Sequence, residues 1–279
     1  MFIGFELTDY QSLTRPTDLD IWSFNALNEA RVSELARYIV SISQTSRHLD
    51  AEEISASLFP QLDYDIFLSH SHADQSKAIE LALSLRDKGI RVFVDSCVWG
   101  HSEELIKLIL EQSGPLENET RESQIGRVSA AVHTLLSAAI HQMIWRTEAF
   151  VFLRTERSVP FESDVSDRTL SPWIYAELQF SAQVQQMLPQ RLKNKKTLQS
   201  VAGFESYMTE SKQLPPYEMV FKISKEHLPS VKGNDLSQWY HDLPKKKLTE
   251  RGDVLDDLYA TCHVANRYYE HKIDNLALL

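Results

Sequence analysis

Short apolar segments that alternate with helical patterns constrain the fold of this 279-residue chain more than any other feature. The segments are Tyr64–Ser69, Ile90–Asp95 and Ala149–Arg154, and the residues between them carry apolar side chains at helical spacing. The third segment is apolar almost throughout, which is typical of a strand that is buried on both faces. This order of elements predicts an α/β protein with a parallel, flavodoxin-like sheet flanked by helices.

Polar residues follow each predicted strand, at the point where the strand ends. They are Ser69, His70, Ser71, Asp95, Ser96 and Arg154. Ligands of parallel sheets bind beyond the carboxyl ends of the strands, so we expect the serine–histidine loop, the loop after Asp95 and the stretch before Trp173 to converge on one edge of the sheet. The alternative interpretations are simple helix entry for the serine–histidine loop and a structural salt bridge for Arg154.

A second candidate feature is the helical segment that starts at Pro172. Trp173 and Glu177 are four residues apart and therefore lie on one face of this helix, one turn from each other. An aromatic plane beside a carboxylate can hold a base or a ribose next to an acidic group. Taken alone the pair is a weak signal, because such a Trp is often a core residue and a helical Glu is often solvent-exposed.

Together these segments resemble a TIR (Toll/interleukin-1 receptor) domain, and specifically the bacterial TIR domains that cleave NAD. The resemblance rests on Tyr64–Ser69, on Gly89–Asp95 and on Ser171–Leu178, and it covers roughly residues 63–245. The region before the third strand is longer than is usual in the family, with an additional helix at Ile125–Trp145.

The resemblance implies a role for each candidate residue. Glu177 is expected to be the catalytic carboxylate, in an open cleft, and Trp173 the aromatic residue of the substrate site. The other expected substrate contacts are Ser69, His70, Ser71 and Arg154. Asp95 and Ser96 begin the family's mobile loop, on which Trp99 is expected to complete the site at a neighbouring subunit. The alternative for Trp99 is a contact with its own core.

The implied activity is that of an NAD+ nucleosidase, a glycohydrolase or cyclase that releases nicotinamide and forms an ADP-ribose product. NAD+ is then the substrate, and no cofactor or metal is implied. Nicotinamide leaves as a neutral molecule, so one carboxylate suffices, whereas a glycosidase needs two. Such proteins usually act in bacterial antiviral defence or signalling, through a homo-oligomer or an activating partner protein. The alternative function is that of a TIR adaptor that assembles without catalysis.

Composition limits the other partners. The formal net charge of −10 and the isoelectric point near 5.5 argue against a nucleic-acid or anionic-membrane surface. The sequence has no apolar run of about 18 residues and no leader pattern at its start, and its two cysteines fit a reducing compartment. We therefore expect a cytoplasmic protein. No histidine pair is spaced with a Cys or acidic partner as in zinc sites.

The sequence divides into a central domain and two expected extensions. Residues 1–60 are predicted to form a helical extension, with helices at Asn25–Ser43 and Ala51–Phe59. Residues 61–245 are expected to form the TIR-like domain, and residues 246–279 are predicted to form a C-terminal helical extension.

Overall fold

The computed structural model describes most of the chain. The described residues are 3–14, 17–43, 49–59, 63–95, 102–114, 119–160, 168–184, 219–246, 248 and 250–264. They belong to two compact units. The first is drawn from Met1–Arg15, Tyr64–Val94 and Ile144–Leu279, and the second from Pro16–Asp63 and Asp95–Met143.

The described residues of the first unit contain seven strands. They are β1 (Ile3–Thr8), β2 (Ile66–Ser69), β3 (Val92–Val94), β4 (Ala149–Leu153), β5 (Arg168–Thr169), β6 (Phe221–Lys222) and β7 (Ser230–Lys232). Five of them, all parallel, form one sheet in the order β3-β2-β4-β1-β7. The strands β5 and β6 form a separate antiparallel pair.

Helices accompany the strands in the first unit and make up the second. They are α1 (Asp18–Ser43), α2 (Ala51–Leu58), α3 (Gln75–Arg86), α4 (Ser102–Ser113), α5 (Arg121–Arg146), α6 (Pro172–Gln183), α7 (Gly233–Asp242) and α8 (Arg251–Thr261). The predicted α/β fold with a parallel sheet and flanking helices is thereby confirmed. Within the described stretches, no helix combines the length and the hydropathy that crossing a bilayer requires.

One face of the sheet packs against α3, α7 and α8. Side chains from the strands and from these helices line the same narrow apolar interior. The strand residues are Phe5, Leu7, Ile66, Leu68, Val92 and Val151, and the helix residues are Leu81, Leu85, Leu236 and Leu258. Because Leu258 belongs to α8, the segment predicted as a C-terminal extension contributes a helix to the core of the sheet.

Aromatic side chains cover the middle of the opposite face. Phe93, Phe67 and Phe150 lie in register on β3, β2 and β4, and neighbouring ring centroids are 5.5 and 5.8 Å apart. Gly4 is the next residue of this row, on β1. A Cβ atom there would lie 2.8 Å from Cδ2 of Leu228, so the glycine leaves the space that the leucine fills.

The strand β1 lies inside the sheet, between β4 and β7. Its register with β4 runs from Ile3 beside Ala149 to Leu7 beside Leu153. Residues 3–8, which the sequence assigned to a helical extension, thus form a central strand instead. The helices predicted further along that segment are present, although α1 begins at Asp18 rather than at residue 25.

Candidate functional site

The strand order creates a switch point between β2 and β4. The chain that leaves β2 returns to the sheet as β3, on one side of β2, whereas the chain that leaves β4 returns as β7, on the other side. The segments that follow the two strands therefore lead to opposite sides of the sheet. In open α/β sheets such a switch point is the usual place for a ligand.

Two residues from distant parts of the chain meet at this switch point. Ser69 is the last residue of β2, and its Oγ donates a hydrogen bond of 2.5 Å to Oε2 of Glu177 on α6. The side chains of both residues are buried, with 0% of Ser69 and 1% of Glu177 exposed. This hydrogen bond joins α6 to the end of β2.

The sequence determines where α6 begins and therefore where Glu177 lies. The side chain of Ser171 caps the helix by accepting a hydrogen bond from the N–H of Ile174, at 3.3 Å. Pro172 occupies the first turn, where its missing N–H and its fixed φ favour a helix start. Glu177 then lies one and a half turns into α6, on its buried side together with Ile174 and Leu178.

The other residues predicted for the site have different surroundings. His70 is 3% exposed, and its Nδ1 lies 3.4 Å from the carbonyl oxygen of Leu68, while Ser71 and Trp173 are half-buried. Asp95 is also buried and directly follows β3. The predicted loop residues Ser96 and Trp99 lie outside the described residues, so their roles stay predictions.

Glu177 differs from its prediction in one respect. An open cleft was expected around the carboxylate, but its side chain is almost fully enclosed. The spacing of Trp173 and Glu177 identifies the face of the helix that they share, but not the parts of the chain that cover this face.

A second buried carboxylate lies on the same face of the sheet. Glu6 and Ser69 both lie in register with Phe152, so two strand spacings, about 10 Å, separate them. Arg154 Nη1 donates to Oε1 of Glu6 at 3.1 Å, and Nζ of Lys225 lies 3.7 Å from the same oxygen. These contacts match the interpretation of Arg154 as a partner in a structural salt bridge.

Arg154 also borders a cavity of about 670 Å³ at the carboxyl ends of β1 and β4. The charged residues that line it are Asp9, Asp74, Lys77, Arg154, Glu156 and Arg157. Neither Ser69 nor Glu177 is among the described residues of its lining. Of these six residues, Arg154 is the one that belongs to the predicted site.

A histidine–serine pair fixes the second half of α6. Nε2 of His227 lies 2.8 Å from Oγ of Ser181, and this hydroxyl also donates to the carbonyl oxygen of Leu178 at 3.0 Å. Burial lowers the pKa of His227 to about 4, although the neighbouring Glu226 acts in the opposite direction. The imidazole is therefore neutral in the folded protein at neutral pH.

This depressed pKa predicts a pH dependence of stability. The unfolded chain takes up a proton at His227 near pH 6.5, whereas the folded protein does so only near pH 4. Between these values the unfolded state binds more protons, so the free energy of unfolding falls as the pH is lowered from 6.5 to 4. In the variant His227→Gln, the free energy of unfolding should decline less between pH 6.5 and pH 4 than it does in the wild type. Chemical denaturation at several pH values measures this decline.

The matched control for that measurement is His241→Gln, because His241 is exposed on α7. If the free energy of unfolding declined as steeply in His227→Gln as in the wild type, this pH dependence could not be assigned to His227.

The chain was compared with protein families, curated proteins and solved structures. No protein-family model, curated protein or solved structure matches the chain. In the part of the chain that the structure describes, no group of three or more His, Cys, Asp or Glu side chains could hold a metal ion.

Proposed function

We propose that this protein is an NAD+ nucleosidase whose catalytic carboxylate is Glu177. The observation that carries the proposal is the buried Ser69–Glu177 hydrogen bond at the switch point of a parallel sheet. The order of motifs that resembles NAD-cleaving TIR domains supports it, because the two residues that meet here come from two of those motifs.

The chemistry of the reaction fits a single enclosed carboxylate. The bond between C1′ of the ribose and the nicotinamide nitrogen breaks, and the electron pair leaves with the neutral nicotinamide. Positive charge develops on the ribose, and a carboxylate stabilises that charge more strongly away from water. Water then attacks C1′ and loses a proton, giving ADP-ribose; attack by a nucleophile of the same molecule would give a cyclic product.

Ser69 acts in this proposal as a positioning residue. Its hydroxyl fixes Oε2 of Glu177, so one carboxylate oxygen has a set direction before substrate arrives. Fixed groups of this kind avoid reorganisation during the reaction, which is a main source of electrostatic catalysis.

The enclosure of Glu177 suggests that activity is controlled. Glu177 is 1% exposed and is not among the described residues that line the cavity beside Arg154, so it reaches a dinucleotide only after the surrounding chain has rearranged. We infer that the resting protein has low activity and that assembly with further copies, or binding of a partner protein, opens the site. The predicted loop that begins at Asp95 and carries Trp99 is the proposed contact for this assembly.

The alternative function is that of an adaptor that acts through assembly alone. The same observation allows it, because a buried Ser–Glu hydrogen bond also serves to tie α6 to the end of β2. The two functions differ in whether NAD+ is consumed.

The direct test is to incubate the purified protein with NAD+ over a range of protein concentrations and to measure free nicotinamide by chromatography. We expect release that rises faster than in proportion to protein concentration, because assembly opens the site. Equal activity per mole at all concentrations would contradict self-assembly as the control, and no release at any concentration, with or without a partner protein, would favour the adaptor.

A further inference from the structure

We propose that the cavity at the carboxyl ends of β1 and β4 binds a phosphorylated ribose compound of mononucleotide size. Lys77 and Arg157 would bind the phosphate, and Asp74 would accept a hydrogen bond from a ribose hydroxyl. This site is additional to the Ser69–Glu177 pair, and the proposal does not depend on NAD+ cleavage.

The place and size of the cavity favour a nucleotide. Its volume of about 670 Å³ lies within the range of about 300–1,000 Å³ that is usual for small-molecule sites. It also lies at the edge of the sheet where open α/β folds bind nucleotides. A free amino acid or an inorganic ion would fill only a small part of this space.

Two exposed cations from different segments border the cavity. Arg157 follows β4, and its Nη1 donates to the carbonyl oxygen of Ala73 at 2.6 Å. A guanidinium has five N–H donors, so this bond anchors the group and leaves donors for a phosphate. Lys77 is on the first turn of α3, with 53% of its side chain exposed. The two groups therefore bring positive charge to the cavity from the segments that follow β2 and β4.

Asp74 supplies an acceptor for a hydroxyl group. Its side chain is 1% exposed, and Oδ2 accepts a hydrogen bond from Oγ1 of Thr155 at 2.5 Å. Oδ1 accepts no hydrogen bond from the described residues and lies 3.8 Å from Nζ of Lys77. A buried acceptor that is left unmet is costly, so a ligand hydroxyl at this oxygen is stabilising.

The exposed acids at the cavity limit the charge of the ligand. Asp9 and Glu156 also line it, so the lining carries as many acidic as basic side chains. A lining with equal numbers of acidic and basic side chains disfavours a polyanion such as nucleic acid. It suits a ligand with one or two phosphates and several hydroxyl groups.

The test is isothermal titration calorimetry with ADP as the probe, on the full chain. We expect the wild type to bind ADP, and Arg157→Gln and Lys77→Gln each to weaken binding by about tenfold, the size of one charged hydrogen bond. Both residues are exposed, so the variants should fold. Arg127→Gln is the matched control, because Arg127 is an exposed arginine of the second unit that pairs with Glu119.

Several results would overturn the proposal. They are no ADP binding by the wild type, adenosine binding as tight as that of ADP, and unchanged affinity in both Arg157→Gln and Lys77→Gln. Loss of ADP binding in Glu177→Gln with full binding in Arg157→Gln would place the nucleotide beside Ser69 instead, and would also overturn it.

Discussion

Replacing Glu177 by Gln is expected to lower the rate of nicotinamide release from NAD+ by a factor of about 100 or more, the usual effect of removing one group that stabilises transition-state charge. Glutamine has nearly the same shape and can still accept the hydrogen bond of Ser69, so the contact between α6 and β2 is kept. What is lost is the negative charge opposite the developing positive charge of the ribose. The measurement is nicotinamide release under conditions in which the wild type is active.

Glutamine is the informative substitution because Glu177 is buried. Alanine at this position would remove several buried atoms and leave Oγ of Ser69 without its acceptor, which destabilises the protein for reasons unrelated to catalysis. A thermal melt of Glu177→Gln close to that of the wild type would show that the loss of rate is not a loss of fold.

Two further variants separate catalysis from structure. Glu148→Gln is the matched control, because Glu148 precedes β4 at the opposite edge of the sheet and accepts a hydrogen bond from Tyr259 at 2.9 Å. It should release nicotinamide at the wild-type rate. Ser69→Ala keeps the carboxylate but removes the hydrogen bond to its Oε2, so its rate should lie between those of the wild type and Glu177→Gln. Wild-type turnover in Glu177→Gln would exclude Glu177 as the catalytic residue.

The sequence predicts the three strands of the sheet that carry continuous apolar runs, and it misses β1 and β7. The strands β2, β3 and β4 were recognisable from continuous runs such as Ala149–Leu153. Gly4 and Glu6 interrupt the apolar pattern of β1, and the structure explains both residues. The glycine leaves space for Leu228, and the carboxylate of Glu6 binds Arg154. Each reason involves a distant residue, so neither is visible in the local pattern.

The sequence likewise predicts only part of the candidate site. Ser69 and Glu177 are 108 residues apart in the chain, yet the rule that ligand sites lie at strand carboxyl ends predicts their proximity correctly. The rule does not predict burial, because burial depends on segments that pack over the edge of the sheet. Nor does it predict the cavity beside Arg154, which requires β1 to be placed next to β4.

Replacing Gly233 by Ala is expected to lower the melting temperature by about 2–12 °C. Gly233 is the first residue of α7, and a Cβ atom there would lie 2.4 Å from the carbonyl oxygen of Asp9 and 2.8 Å from Cα of Tyr10. All of the nearest atoms belong to backbone, so no side chain can move aside. Overpacking of this kind costs about 1–3 kcal/mol, and each kcal/mol lowers the melting temperature of a chain this large by about 2–4 °C.

Gly126→Ala is the matched control for this prediction. Gly126 lies within α5, and among the described residues no heavy atom beyond its own stretch of helix lies within 4 Å of the added Cβ position. Alanine should therefore leave the protein as stable as the wild type or stabilise it by up to about 1 kcal/mol, because alanine favours helices over glycine. Neither glycine has a positive φ, so the two substitutions differ in the space available and not in backbone strain.

The comparison tests the place of the N-terminal strand in the fold. Asp9 and Tyr10 directly follow β1, and their close approach to α7 holds that strand against the helix that follows β7. If residues 1–60 were an extension with no part in the sheet, alanine at 233 would meet nothing from this segment. A thermal melt of Gly233→Ala that matches those of Gly126→Ala and the wild type would therefore contradict the close packing of β1 and α7. A large drop in Gly233→Ala alone would confirm that the sheet depends on its first strand.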